Sequence, residues 1–235
     1  MQDFAPYYDL MEQHKLFDKI DRKNFPGLLK DCEAKIIPFK EGDNIKDILD
    51  MKPGRTFGCV LSGLVQVFKN DAWGNQPILD IHMKNYLIGC FDVFYNANLV
   101  DIHVKAAKAG EILFLNAELL ENPPGDVDLK QVIQVQHNLI TILAETNWRM
   151  IQKIDIISAK TLREKVLRML KFEVLIQKSF DFDIPFNRRE FADYIYVDRC
   201  ALSRELSKMK EDGLILYKKN HFKILQPAKE ILGNI

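Results

Sequence analysis

A short segment near the carboxyl end of the chain carries hydrogen-bond donors at helical spacing. Arg199, Ser203 and Arg204 would share one face of a helix, with Cys200 beside them. Arginine can bridge O6 and N7 of guanine, and serine can bond either a base edge or a phosphate. Side chains of these types at the amino-terminal end of a helix suit the major groove of DNA.

The residues around this segment predict two short helices joined by a tight turn. Asn187-Arg188-Arg189-Glu190 has the spacing of a capping box, which begins a helix that should run to about Ile195. Tyr196-Val197 would form the turn, and Asp198 is a good N-cap for a second helix that ends at Gly213. Two helices joined so closely are typical of the helix-turn-helix motif.

Beyond this motif, the sequence predicts a β-hairpin wing with a cationic tip. Two apolar runs, Leu214–Tyr217 and Phe222–Leu225, flank Lys218-Lys219-Asn220-His221. Lysines at such a tip are suited to the phosphates of DNA. The predicted DNA-binding residues are Arg188, Arg199, Cys200, Ser203, Arg204, Lys218 and Lys219.

The amino-terminal half of the chain changes from short helices to short strands. Residues from about Tyr7 to Leu29 predict one or two short helices. Between Ala34 and Leu120, β-rich runs alternate with turn signals that include Ser62-Gly63 and Ala109-Gly110, which favours an antiparallel sandwich or barrel. The predicted strands are Ala34–Phe39, Gly58–Leu61, Leu64–Phe68, Ile78–His82, Ile102–Ala107 and Glu111–Leu115.

A long helix is predicted from about Val127 to Ile157, after the turn residues Asn122-Pro123-Pro124-Gly125. At about 1.5 Å per residue it would be about 45 Å long. Its apolar residues fall largely at alternating three- and four-residue steps, interrupted by Gln136 and Thr146, and such a stripe favours a parallel homodimer helix. Packing on its own domain is the alternative. The stripe comprises Leu129, Val132, Leu139, Leu143, Met150 and Ile154.

Composition and charge exclude several classes of protein. The net charge is zero, but residues 155–235 carry sixteen Lys and Arg against twelve Asp and Glu, a bias that suits a nucleic-acid module. No signal peptide or membrane-spanning run is indicated, so we expect a cytoplasmic protein with no membrane partner. The four cysteines are scattered without a CxxC pair, so no metal site or cofactor is expected.

Over nearly its whole length the sequence resembles the Crp/Fnr family of bacterial regulators. The resemblance is carried by the helix-turn-helix and by motifs of the family's sensor domain. The matching segments are Arg189–Ile195, Val197–Leu206, Met209–Ile215, Phe39–Asp43, Val60–Val67 and Leu87–Gly89.

The resemblance implies an α+β protein of three parts. Residues 1–126 would form a double-stranded β-helix (jelly roll) sensor domain, 127–157 a dimerisation helix, and 158–235 a winged helix-turn-helix. It also implies a homodimer that reads a two-fold symmetric operator in double-stranded DNA and contacts RNA polymerase. Three predicted site residues match family positions that contact bases or phosphates, whereas Cys200 replaces a residue that is commonly acidic or serine. Those three are Arg199, Ser203 and Arg204.

The resemblance does not extend to a cyclic-nucleotide site. Family members that bind cyclic nucleotides hold the phosphate with a Gly-Glu pair and, ten residues later, an Arg-Ser pair. Here Gly89 is retained, but Cys90 stands in place of Glu and Val100-Asp101 in place of Arg-Ser. Loss of the cation and gain of an anion make a buried phosphate unfavourable, so cyclic AMP is not the expected effector.

Another effector pocket can still be predicted. An apolar lining with one cation would suit a small organic anion, and the alternative is a roll filled by its own side chains. A redox role for Cys90, alone or with Cys59, would require an activated thiol. The predicted pocket residues are Ile88, Gly89, Cys90, Phe91, Val100, Trp148 and Arg149.

Two other functions compete with DNA binding. Jelly rolls also host metal-dependent enzymes, but five dispersed histidines without HxH or HxxxH spacing do not favour such a site, and we expect no enzyme. A sensor or scaffold protein without DNA binding is the other alternative. The arginines of the second helix and the lysines of the wing disfavour it.

Overall fold

The structure is a computed structural model that describes residues 2–45, 47, 55–69, 76–90, 93–94, 102–123, 128–226 and 228. The chain divides into two compact units. The first comprises Met1–Asn75 and Leu79–Thr146, and the second Gln76–Ile78 and Asn147–Ile235. No helix in the described ranges is both long enough and apolar enough to cross a membrane.

The first unit begins with short helical segments, as predicted. Three of them are 3₁₀ turns, and α1 and α2 are short α-helices. Their apolar side chains are buried with residues of the following sheet in one core. The segments are Ala5–Tyr7, α1 (Tyr8–Glu12), Lys15–Phe17, Arg22–Asn24 and α2 (Phe25–Asp31).

The sheet of the first unit has five strands in the order β1-β5-β2-β3, with β4 paired to β2. The pairings β1–β5, β2–β5 and β2–β4 are antiparallel. This arrangement confirms the antiparallel jelly-roll architecture, and the short helix α3 (Glu118–Glu121) follows β5. The strands are β1 (Lys35–Phe39), β2 (Thr56–Phe68), β3 (Ile78–His82), β4 (Leu87–Ile88) and β5 (His103–Asn116).

Two predicted turns are wrong, because Ser62-Gly63 and Ala109-Gly110 lie inside the continuous strands β2 and β5. The β2–β5 register shifts three times between Val60 and Val65, which is the mark of a β-bulge. Gly63 has φ +87°, and a Cβ on Gly110 would overlap the carbonyl oxygen of Ser62. These glycines allow two backbones to approach closely, and they do not reverse the chain.

His14 is a buried histidine in the helical layer of the first unit. Its Nδ1 accepts a hydrogen bond from the Leu16 amide, and its Nε2 has no partner within the described residues. Burial, helped by the charges of Lys84 and Lys15, lowers the pKa of His14 from 6.5 to about 4. The imidazole is therefore neutral in the folded protein at neutral pH.

We expect the first unit to lose stability in mild acid because of His14. The unfolded chain takes up this proton near pH 6.5 and the folded chain only near pH 4, so the stabilisation is full above pH 6.5 and lost as pH falls towards 4. The loss should be on the order of 3 kcal/mol. Urea unfolding at several pH values would measure it in wild type and His14→Asn. The exposed His137→Asn is the control, and an unchanged pH slope in His14→Asn would contradict the expectation.

The long helix is confirmed as α4 (Leu129–Ser158). Its predicted apolar stripe, however, mixes two faces. Val132 and Leu139 are buried in the core of the first unit, together with Val135 and Ile142. One face of the helix therefore packs on its own unit, while a neighbouring apolar face stays exposed.

The second unit joins α4 to the predicted helix-turn-helix and wing. Capping boxes at Thr161 and Asn187 begin α5 and α6, and the Asp198 side chain accepts from the Ala201 amide to begin α7. The sheet has the order β6-β8-β7, and the sequence did not predict β6 because it is short and mostly exposed. The elements are α5 (Leu162–Gln177), β6 (Asp181–Asp183), α6 (Arg188–Tyr194), α7 (Arg199–Glu211), β7 (Ile215–Lys218) and β8 (His221–Ile224).

Candidate nucleic-acid interface

The turn between α6 and α7 is fixed by backbone and side-chain contacts. Tyr196 has φ +56°, and the Val197 amide donates to the Ala192 carbonyl at 3.0 Å. Lys165 Nζ donates to the Ile195 carbonyl at 3.4 Å, which ties the turn to α5. On their inner sides, α6 and α7 bury apolar residues that include Phe191, Leu202, Leu206 and Met209. The predicted helix-turn-helix is confirmed.

The outer face of α7 brings four predicted residues together near its amino-terminal end. Arg199, Cys200 and Arg204 are exposed, and neither guanidinium has an ion pair or hydrogen bond within the part of the chain that the structure describes. Ser203 Oγ donates to the Arg199 carbonyl at 3.0 Å, so its lone pairs remain free to accept from a base amino group. The arginines of this face can donate hydrogen bonds, and Ser203 can accept one.

The structure adds a contact between α7 and the wing that the sequence did not predict. Ser207 lies one turn beyond Ser203, and its Oγ is 3.3 Å from the hydroxyl of Tyr217 on β7. The four-residue spacing from Ser203 was the available signal, but the position of Tyr217 depends on the fold. The contact helps to set the wing beside the exposed face of α7.

Arg188 differs from the other predicted DNA contacts because its guanidinium is engaged within the second unit. It lies 5.0 Å from the Tyr217 ring centroid and 5.8 Å from that of Phe222, and Nη2 donates to the Lys219 carbonyl at 3.2 Å. Burial lowers the pKa of Arg188 from its ordinary value. These contacts link the start of α6 to the tip of the wing.

We therefore expect Arg188→Ala to act first on stability. Loss of the cation–π contacts and of the charged hydrogen bond should cost about 1–2 kcal/mol of unfolding free energy. Chemical denaturation would measure this cost. Arg189→Ala is the matched control. The neighbouring Arg189 is exposed, and its ion pair with Asp193 is long, at 4.0 Å. Equal stability of the two variants would contradict the role of Arg188.

The wing concentrates its free positive charge at the tip. Lys218 and Lys219 are exposed, and their ammonium groups have no partner among the residues the structure describes. His221 lies opposite Lys218 in the hairpin register, and its ring is 2.8 Å from Asp181 and 3.1 Å from Asp183 of β6. The His221 side of the tip is thus engaged with β6, whereas Lys218 and Lys219 are available to phosphates.

Some basic residues of the second unit serve the fold. Arg163 on α5 pairs with Glu205 at 2.6 Å and with Asp212 at 2.7 Å, and these carboxylates raise the pKa of Arg163. Arg168 pairs with Asp155 at 2.7 Å. Arg163 and Arg168 therefore help to hold α4, α5 and α7 together, and the arginines of the second unit without a partner among the described residues lie on α7.

The predicted effector pocket is only partly described. Phe91 and Val100 lie outside the described residues, as does Asp101. Ile88 is buried at the end of β4, and Gly89 follows it with φ +78°. The thiols of this region are not activated, because burial raises the pKa of Cys90 to about 12 and that of Cys59 well above its ordinary value.

Of the two pocket residues predicted on the long helix, Trp148 contacts α5 within the second unit, and Arg149 lies near a carboxylate of α5. The Trp148 ring lies 5.7 Å from that of Phe172. Burial raises the pKa of Glu173, while a hydrogen bond from Gln177 and the nearby charge of Arg149 oppose the shift. In the second unit, Trp148 therefore belongs to the packing between α4 and α5, and the charge of Arg149 acts on Glu173 of α5.

Comparison with known proteins identifies the carboxyl-terminal domain. Residues 160–229 match the family model of the Crp-like helix-turn-helix domain. No curated protein matches the chain.

Solved structures resemble the chain over most of its length. A cyclic nucleotide-binding domain containing protein from Listeria monocytogenes EGD-e is 18% identical with a TM-score of 0.67, covering 88% of this chain and 94% of its own. A CooA mutant from Carboxydothermus hydrogenoformans is 17% identical with a TM-score of 0.65, covering 88% and 90%. FixK2 from Bradyrhizobium japonicum is 16% identical with a TM-score of 0.60, covering 85% and 95%. At these identities the likeness is one of fold.

Proposed function

We propose that the chain is a homodimeric transcription regulator of the Crp/Fnr family that binds two-fold symmetric DNA, a proposal supported by its match to the Crp-like helix-turn-helix domain. Its effector, in this proposal, is not cyclic AMP. The observation that carries DNA binding is the exposed face of α7, where Arg199 and Arg204 are unpaired among the described residues, with Lys218 and Lys219 at the wing tip beside it. Arginines would read bases in the major groove while the lysines contact phosphates.

The exposed face of α4 supports the homodimer. Six of its large apolar residues outside the core recur at steps of three, four or seven residues, and their exposure reaches 65% at Ile140. Trp148 and Ile151 are also exposed on this helix and fall outside that pattern. Such a heptad pattern is typical of a helix that pairs with a second helix. We define these residues as the seam: Leu129, Ile133, Ile140, Leu143, Met150 and Ile154.

A DNA-binding measurement with varied salt tests this function. Sites would first be identified by genome-wide mapping of bound DNA, and a duplex carrying the recovered palindrome would then be titrated with protein. We expect a dimer to bind one duplex with an affinity that falls steeply as salt rises, since bound phosphates release counterions. A monomeric protein without salt-sensitive DNA affinity would overturn the proposal and would favour the sensor or scaffold alternative.

Cyclic AMP should not stabilise the protein. Gly89 remains at the position of the phosphate-binding motif, but Cys90 replaces the glutamate and its thiol is protonated. Thermal unfolding with cyclic AMP at concentrations that saturate cyclic-nucleotide sensors should therefore give an unchanged Tm. A cyclic-nucleotide-binding protein in the same assay provides the positive control, and a clear upward shift for this chain would contradict the expectation.

The metal-dependent enzyme alternative would require a cluster of metal-binding side chains. Among the described residues, no group of three or more His, Cys, Asp or Glu side chains is placed to hold a metal ion. The cation-bearing face of α7 and the wing, by contrast, form a surface that matches one ligand class, the DNA duplex.

A further inference from the structure

Two polar residues interrupt the seam of α4. The seven positions of a heptad repeat are lettered a to g, and positions a and d face the partner helix. When the isoleucines of the seam are placed at a and its leucines and methionine at d, Gln136 falls at a d position and Asn147 at an a position. Gln136 Nε2 donates to the carbonyl of Leu120, so this amide is used inside its own chain. The exposed Asn147 side chain has no hydrogen-bond partner among the residues the structure describes.

We propose that Asn147 pairs with the same residue of a second copy and thereby fixes a parallel, in-register dimer. This inference rests on the proposed homodimer and names the residue that decides its alignment. In a parallel, in-register pair each a residue faces its own counterpart across the seam. The amide NH₂ of one Asn147 can then donate to the amide oxygen of the other, and both polar groups are satisfied as water leaves.

Other alignments leave Asn147 without a partner. In an antiparallel pair, the a positions of one helix face d positions of the other, so the amide would meet a side chain such as Leu143 or Met150. In a parallel pair slipped by one heptad, it would meet Ile140 or Ile154. Each arrangement desolvates an amide that forms no hydrogen bond, which is unfavourable.

The apolar residues of the seam distinguish less sharply between the in-register parallel pair and the other alignments. Isoleucine occupies the a positions 133, 140 and 154, and leucine occupies the d positions 129 and 143. This combination favours two strands over three or four. Apolar side chains nevertheless tolerate one another in shifted registers, whereas a single amide layer does not.

Cysteine cross-linking can test the alignment in the full-length protein. The starting variant would be Cys200→Ser, which removes the exposed native thiol. Ile140→Cys and Met150→Cys are then made separately, the two proteins are mixed to exchange subunits, and the thiols are oxidised mildly. An in-register parallel dimer joins 140 to 140 and 150 to 150. An antiparallel dimer in which Asn147 faces Leu143 joins 140 to 150.

With Asn147 present, we expect at least tenfold more homotypic than mixed cross-link. With Asn147→Ile added to both proteins, the mixed product should rise to a comparable yield, or light scattering should show oligomers larger than two. Thr141→Ile is the matched control, because it adds the same side chain at an exposed position outside the seam. The control should leave the ratio of cross-linked products unchanged.

The outcomes separate this inference from the proposed function. If Asn147→Ile stays a dimer with only homotypic cross-links, Asn147 does not set the alignment although the homodimer stands. If mixed products already form at comparable yield with Asn147 present, the inference also fails. If the protein without substitution in the seam is a monomer in light scattering, both the homodimer and the role of Asn147 are overturned.

Discussion

Ile140→Lys is expected to convert the proposed dimer into monomers and to weaken operator binding by about 10²- to 10⁴-fold. Ile140 is 65% exposed in the single chain and lies in the middle of the seam. A lysine there would place two like charges opposite each other between the paired helices. In a monomer, each α7 helix would bind its half of the operator independently. The affinity gained by linking two α7 helices in one dimer is then lost.

Light scattering and DNA titration on the same samples would measure this effect. Thr141→Lys is the matched control, since it adds the same charge at the neighbouring exposed residue outside the seam. The control should remain dimeric with near-normal DNA affinity. A dimeric Ile140→Lys protein with full affinity would show that the subunits associate through another surface, or that DNA binding needs only one.

Arg204→Ala should weaken operator binding by about 1–3 kcal/mol for each recognition helix. Because a dimer presents two such helices, the expected loss is about 2–6 kcal/mol per operator if the half-sites contribute independently. Arg204 is exposed on α7 and has no partner within the described part of the chain. Its removal should therefore leave the stability of the second unit nearly unchanged.

Titration of operator and unrelated DNA by the same variant would separate base reading from phosphate contact. A base contact predicts a selective loss on the operator, whereas a phosphate contact predicts a similar loss on both duplexes. Lys208→Ala is the control, because Lys208 is an exposed cation in the last turn of the same helix. Unchanged operator affinity in Arg204→Ala would remove Arg204 from the reading surface.

The helix-turn-helix could be predicted from the sequence because its signals are local. Asn187 and Asp198 cap the two helices through side chains only a few residues from the amides they satisfy. Gly213 has φ +69°, a conformation that glycine adopts without strain at a helix end. Each of these contacts is decided within one turn of helix.

The role of Arg188 could not be predicted in the same way. Its partners Tyr217, Lys219 and Phe222 lie about thirty residues further along the chain, and only the folded wing brings them to it. The local pattern predicts a cation at the start of a DNA-binding helix. The tertiary structure directs that cation inward.

The sequence pattern also could not show which residues of the long helix lie on its buried face and which lie on its exposed face. Val132 and Ile133 are neighbours, as are Leu139 and Ile140, yet the first of each pair is buried and the second is exposed. A helix with apolar residues on two adjacent faces has no single stripe, because one face packs on its own unit and the other is free. Only the position of the core decides which residues belong to the seam.

The bulge in β2 changes which side chains of the strand face each of the two buried clusters. Before the bulge, odd-numbered residues such as Phe57, Cys59 and Leu61 join the cluster beneath the amino-terminal helices, and Val60 faces the second cluster. After the bulge, the odd-numbered Val65 faces that second cluster. The strand thus switches parity at Gly63, and counting every second residue from Phe57 assigns its far half to the wrong side.

Chain length between Leu61 and Leu64 is therefore coupled to the bulge. Val60 and Val65 are five residues apart and face the same cluster, an odd spacing that strand alternation with a period of two allows only where the strand is out of step. Deleting one residue there would leave the two valines four residues apart, so that a regular strand would keep the later side chains of β2 on their present faces. The shortened strand is therefore expected to lose the bulge and keep the two sides of the sheet.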